Sequence, residues 1–124
     1  MDRSEVSRPI SITLNGPNYI HWAQAMTSYL QARRVWRIVT GAVSAPIQKN
    51  DEADEKFADR EDEWIAKNAD IITWCRNTSI PTIGQQFGRF STGNEVWDFL
   101  KARYTTKDLA HLYQLLNSLQ AKRQ

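Results

Sequence analysis

The chain has one cysteine, Cys75, in 124 residues, so no disulfide can form within it and a reducing compartment suits it. Its two histidines, His21 and His111, stand apart from any Cys/His cluster of zinc-ligand spacing, and no metal or cofactor is expected. No apolar run approaches the ~20 residues that cross a bilayer, which argues against a membrane-spanning segment. No signal peptide is recognisable, and Asp2 stands where N-myristoylation requires glycine. Glycines are few, and Gly84 and Gly88 fit no phosphate-cradling loop, because no Lys-Ser/Thr pair follows them. Convincing period-two alternation is also missing, so strands are not expected. These absences point to a cytoplasmic chain, with the nucleus also open to it.

What the sequence does have is aromatic side chains. Five Trp, four Tyr and four Phe can build one real core in a chain of this length, and 24% charged residues keep its exterior polar. The formal net charge of +2 conceals a segregation. Residues 1–50 carry six Lys/Arg against two acids, residues 51–63 carry two against eight, and residues 64–124 carry eight against four. An acidic block of this kind suits a solvated helix start, where carboxylates complement the positive end of the helix dipole. The sharper reading makes Asp59, Glu61 and Asp62 an acidic face for the basic surface of a neighbouring copy, with Arg33, Arg34 and Arg37 as candidate partners.

Along the chain, residues 1–13 are polar and aperiodic and read as a flexible segment, followed by a single helical domain over residues 14–124. Gly16-Pro17 supplies a turn, and Asn18 is placed to cap a helix over residues 19–34. Tyr19, Trp22, Ala23, Met26, Tyr29 and Leu30 give that helix one apolar face. Residues 35–39 continue it or form a further turn, and residues 42–50 read as an exposed loop. A long helix follows from residue 51 or 52 to 77, with Trp64 and Ile71 on its core face. Pro81 suits the first turn of a short helix, and Thr92-Gly-Asn-Glu95 reads as a capping box. Trp97, Leu100 and Tyr104 make the buried side of the next helix, residues 105–108 break it, and residues 109–124 form a last helix. The expected architecture is all-α, a compact bundle of five to six helices whose core includes Tyr19, Trp22, Met26, Trp64, Ile71, Trp97, Leu100 and Tyr104.

Chemistry-bearing residues are sparse. Cys75 with a histidine as base would make a nucleophile, but its neighbours Ile71, Ile72 and Trp74 fit a buried, inert thiol. The acidic block lacks both an apolar pocket to raise one carboxylate's pKa and the glycine-containing spacing of a calcium loop. No catalytic residue is therefore assigned. Arg33, Arg34 and Arg37 beside Trp36 could contact phosphate, a small footprint suited to weak RNA binding. In the last helix Leu109, Leu112, Leu116 and Leu119 recur at three, four and three, flanked by Tyr113 and Leu115. That spacing serves a short seam between copies or packing on the chain's own core.

Three motifs occur in order: Leu14-Asn-Gly-Pro-Asn-Tyr-Ile-His-Trp22, Val96-Trp-Asp-Phe-Leu-Lys-Ala-Arg-Tyr104, and Leu112-Tyr-Gln-Leu-Leu-Asn-Ser-Leu-Gln120. Together they resemble the N-terminal capsid region of Gag polyproteins from copia-type LTR retrotransposons, particularly the plant ones. There, L-x-G-x-N-Y-x-x-W leads the first helix, and a V/A-W-x-x-L-x-x-x-Y helix precedes a Leu-rich one. The resemblance implies a structural capsid-type domain, without enzymatic activity, that forms homodimers or higher oligomers. It equally allows a domesticated Gag-derived adaptor that binds a host protein or interferes with Gag assembly, and less readily an RNA-binding module. Family members continue into a second capsid subdomain and carry a basic tail or zinc knuckle, neither of which occurs here. The resemblance thus implies either an excised domain or a host-encoded remnant.

Overall fold

The structure, a computed structural model, describes residues 8–123; in the last helix side chains are described through residue 105 and again at 114–119. Among the described residues the regular structure is five α-helices and one 3-10 helix: α1 (Tyr19–Ala32), α2 (Trp36–Val39), α3 (Asp54–Asn77), α4 (Pro81–Gly84), the 3-10 helix Gln85–Arg89, and α5 (Gly93–Arg123). No strand occurs among the described residues. The one extended pairing is an isolated parallel bridge between Leu14 and Ser79, in which Leu14 N–H donates to Thr78 C=O and Ile80 N–H donates to Leu14 C=O.

The first two sequence motifs pack against each other. Tyr19 lies on Tyr104 with ring centroids 6.1 Å apart, and Trp22 lies on Trp97 at 5.7 Å. Gly16 adopts φ +112°, a left-handed conformation that glycine enters without strain, and so passes the chain under the Tyr104 ring. Leu14, Trp22, Met26, Leu30, Ile71, Phe87, Val96 and Leu100 are fully buried around this aromatic pair. Trp22 Nε1–H donates to the Thr78 hydroxyl at 3.1 Å, so the indole is buried with its polar atom satisfied. Because the motif residues are core, their spacing encodes packing.

Local signals set several boundaries. The capping box forms: Glu95 N–H donates to Thr92 Oγ1 at 3.2 Å and Thr92 N–H donates to Glu95 Oε1 at 3.1 Å. Hydrogen bonds donated to the Glu95 carboxylate, first from the Thr92 and Ser91 hydroxyls and then from the Ser91 and Thr92 N–H groups, lower its pKa from the ordinary value. Pro81 occupies the first turn of α4. Asn18 precedes α1 without a side-chain cap; its amide accepts from Asn15 N–H and donates to Thr13 C=O, bracing the preceding turn.

Elsewhere tertiary structure overrides the sequence pattern. α1 ends at Ala32 because Arg34 takes φ 62° and Val35 N–H turns back to Leu30 C=O, closing the helix in a left-handed cap. The break expected at residues 105–108 is absent; those residues include no Gly or Pro, and α5 runs through them to Arg123. Residues 8–13, expected to be flexible, lie on the body: Ile10 and Ile12 pack against the core, and Arg8 donates to Asn77 C=O and the Thr13 hydroxyl. Trp64, expected in the core, is only half-buried at its edge, because α3 enters the body only after that point, its buried side chains running from Asn68 to Cys75.

Candidate association surfaces

α3 crosses α5 at a point of close approach. A methyl group on Gly93 would stand 2.6 Å from Ile71 Cγ2, so only glycine fits. Asn68, buried at the same crossing, accepts from Gly93 N–H at 2.8 Å and donates to Trp64 C=O at 2.9 Å, satisfying a free donor at the start of α5 from another helix. Asn94 Nδ2 donates to Val39 C=O at 2.7 Å and ties α2 to the same point. This junction fixes how the three surfaces below are disposed.

The first surface is an open groove of about 550 Å3 between α1 and α5, walled by Tyr19, Ile20, Ala23, Trp36 and Trp97. Trp36 meets Trp97 edge-on at 5.5 Å and is half-buried, so it forms a wall of the groove. Lys101 is the charged side chain in the lining. Arg33, Arg34 and Arg37 are all exposed, and Arg33 lies across the Tyr29 and Trp74 rings, 5.1 and 6.0 Å from their centroids.

The second surface is a smaller groove of about 230 Å3 where α2 and the following loop meet α3, lined by Ile38, Val43, Pro46 and Trp64 with Arg60, Glu63 and Lys67 at its edge. A buckle holds the loop. Arg60 donates to both Glu52 carboxylate oxygens, at 2.6 and 2.7 Å, and to Ile47 C=O at 3.0 Å. That guanidinium contact is the main reason the Glu52 pKa falls to about 2. Lys67 pairs with Glu63 at 3.0 Å, one helical turn along. Asp59, Glu61 and Asp62 are exposed, and none of them forms an ion pair among the described residues.

The third surface is the far end of α5. The helix has 31 residues, about 46 Å at 1.5 Å per residue, yet its last core residue among those described is Tyr104. Residues 114–119 are all exposed, with Leu115 51%, Leu116 48% and Leu119 57% accessible. The side chains of Leu109, Leu112 and Tyr113 lie outside the described residues.

Cys75 is buried among apolar side chains, which push its thiol up to about 12, so the nucleophilic thiolate is not available near neutral pH. His21 lies on the exposed side of α1, and the His111 side chain is outside the described residues. Among the described residues no three His, Cys, Asp or Glu side chains gather in a metal-holding group, and no helix is long and apolar enough to cross a membrane.

Of the residues singled out from sequence, the structure brings together Tyr19, Trp22, Trp97 and Tyr104, and it leaves the arginines and the acids on the exterior. Asn68 went unnoticed in the sequence, since a polar residue within an amphipathic helix gives no sign that its partner is 25 residues away. Ile47, 82% exposed in the loop, was likewise passed over, although a bare isoleucine beside Pro46 was a visible signal. Comparison of the chain with protein-family models, curated proteins and solved structures gave no significant match in any of the three.

Proposed function

We propose that the chain is a structural, non-enzymatic domain of the Gag capsid type that works by associating with copies of itself. One observation carries the self-association: α5 runs past the core and holds Leu115, Leu116 and Leu119 about half exposed on a helix with no intramolecular partner for them among the described residues. Three leucines within five residues are a costly surface to leave in water; each is about half exposed, so burial would recover about half of the roughly 1.5–3 kcal/mol of a fully exposed side chain. The assignment to a copia-type capsid region rests on the ordered motifs, which supply the core pairs Tyr19–Tyr104 and Trp22–Trp97.

Size-exclusion chromatography with light scattering and absorbance detection tests this. A mass above the monomer that grows with concentration and carries no nucleic acid is the expected result. A strict monomer would favour the adaptor reading, in which the same leucines bind a different protein. Co-eluting nucleic acid that is lost on replacing Arg33, Arg34 and Arg37 would favour RNA binding.

A further inference from the structure

The large apolar residues near the end of α5 are placed symmetrically in sequence about one position. Leu109 and Leu119, Leu112 and Leu116, and Tyr113 and Leu115 are pairwise equidistant from Gln114. Reversing the direction of the helix therefore lays apolar positions on apolar positions. We infer that the end of α5 pairs antiparallel with the same segment of a second copy, about a two-fold axis at the level of residue 114. This rests on the self-association reading above and specifies its partner and geometry.

The described side chains divide cleanly for such a contact. At 100° per residue Leu115, Leu116 and Leu119 fall within about 100° of one another around the helix, and Gln114, Asn117 and Ser118 take the other side. All six are exposed, so a partner can reach the leucine side while the polar side stays in water. Residues 109–121 contain no Asp, Glu, Lys or Arg, and one copy of the segment meets another without like-charge contact.

The body of the molecule favours the antiparallel direction. An axis at residue 114 lies about 15 Å along the helix from Tyr104, the last core residue among those described, so the two bodies stand at opposite ends of the pair, about 30 Å apart. A parallel pair would set both bodies side by side at one end, where α1, α2 and α3 already pack around α5. It would also make no use of the symmetry about residue 114. An isologous contact of this kind closes on itself, and the assembly it builds is a dimer.

Cysteine cross-linking reads the direction of the pair. Position 119 lies about 7.5 Å along the helix from the axis, so its two copies are about 15 Å apart, beyond the ~7 Å between Cα atoms that a disulfide spans. Position 119 of one copy is instead level with position 109 of the other. Under mild oxidation Leu119→Cys and Leu109→Cys should each fail to cross-link alone, and their equimolar mixture should give the 109–119 mixed disulfide. Cys75 is buried and stays out of the exchange. Circular dichroism checks that both variants fold. Should Leu109→Cys lose helicity, Leu119→Cys alone still reads the direction, and a mixture of Leu112→Cys with Leu116→Cys, the second level pair, supplies the positive signal. Light scattering of the unaltered chain should level off at twice the chain mass. Growth beyond a dimer, Leu119→Cys chains that cross-link to each other, or mixtures that give no mixed disulfide would overturn the antiparallel pair while leaving self-association standing. An unaltered chain that stays monomeric at every concentration would overturn the underlying reading and this pair with it.

Discussion

The two long helices, α3 and α5, are each half in and half out of the body, and they treat the outer half differently. α3 enters from solvent: residues 54–63 are mostly charged and largely exposed, and its buried side chains, Asn68, Ile71, Ile72, Trp74 and Cys75, all come later. α5 leaves into solvent: Val96, Trp97, Leu100 and Tyr104 are buried first, and the exposed end carries leucines. An outer half rich in Asp and Glu at a helix N-terminus is stabilised where it stands, by water and by the helix dipole. Leucines on an outer half gain nothing from water. The contrast leaves the acidic projection stable in water and the other with apolar surface to cover, which is the surface we propose for association.

The largest expected effects separate the inner from the outer halves. Ile71→Ala and Leu100→Ala should each cost about 2–5 kcal/mol of stability, whereas Ile65→Ala and Leu119→Ala should stay within about 0.5 kcal/mol, as read by denaturant unfolding of the monomer. A loss of more than about 2 kcal/mol for Leu119→Ala would place the end of α5 in the core and erase the contrast. Next in size, Gly93→Ala should destabilise by about 1–3 kcal/mol, since its methyl group would overlap Ile71 where the inner halves cross. A melting temperature unchanged by that substitution would show that the crossing is not tight.

Smaller effects probe how each helix begins. Thr92→Ala should remove about 1 kcal/mol by taking away the hydroxyl that caps α5, and Thr92→Ser should restore most of it. α3 lacks a side-chain cap, and the loop before it is held by Glu52 and Arg60. Because the folded-state Glu52 pKa is depressed to about 2 from an ordinary 4.5, its contribution is fully present above the ordinary value and is lost as pH falls through about 2. NMR titration of the Glu52 carboxyl in the folded protein should therefore find its midpoint well below the ordinary 4.5. A midpoint at the ordinary value would mean the buckle is open in solution.

What the sequence revealed and what it concealed follow from the range of the interactions. The all-helical class, the capping box at Thr92 and Glu95, Pro81 at a helix start and the burial of Tyr19, Trp22, Trp97 and Tyr104 depend on spacing within a few residues, and all were legible. The left-handed cap at Arg34 was not, because an arginine there carries no signature, and Arg34→Gly should be tolerated or mildly stabilising. Trp64 looked like core because it shares the apolar stripe of α3, but the stripe cannot say where the body stops. The same ignorance of where the body ends hid the docked N-terminal residues Ile10 and Ile12. At the end of α5 the leucine spacing was plain, and its two uses differ only in whether the helix stays on the body. There the structure adds the exposure of Leu115, Leu116 and Leu119.

The assignment of the two outer halves is tested most directly by molar mass against concentration, from light scattering, for the unaltered chain, for Leu116→Asp with Leu119→Asp, and for Ile65→Asp on the outer face of α3. The unaltered chain and Ile65→Asp should rise together above the monomer mass, while the leucine variant stays monomeric with full helicity. Equal masses for all three, or a leucine variant that loses its helicity along with its mass, would contradict an association surface at the end of α5.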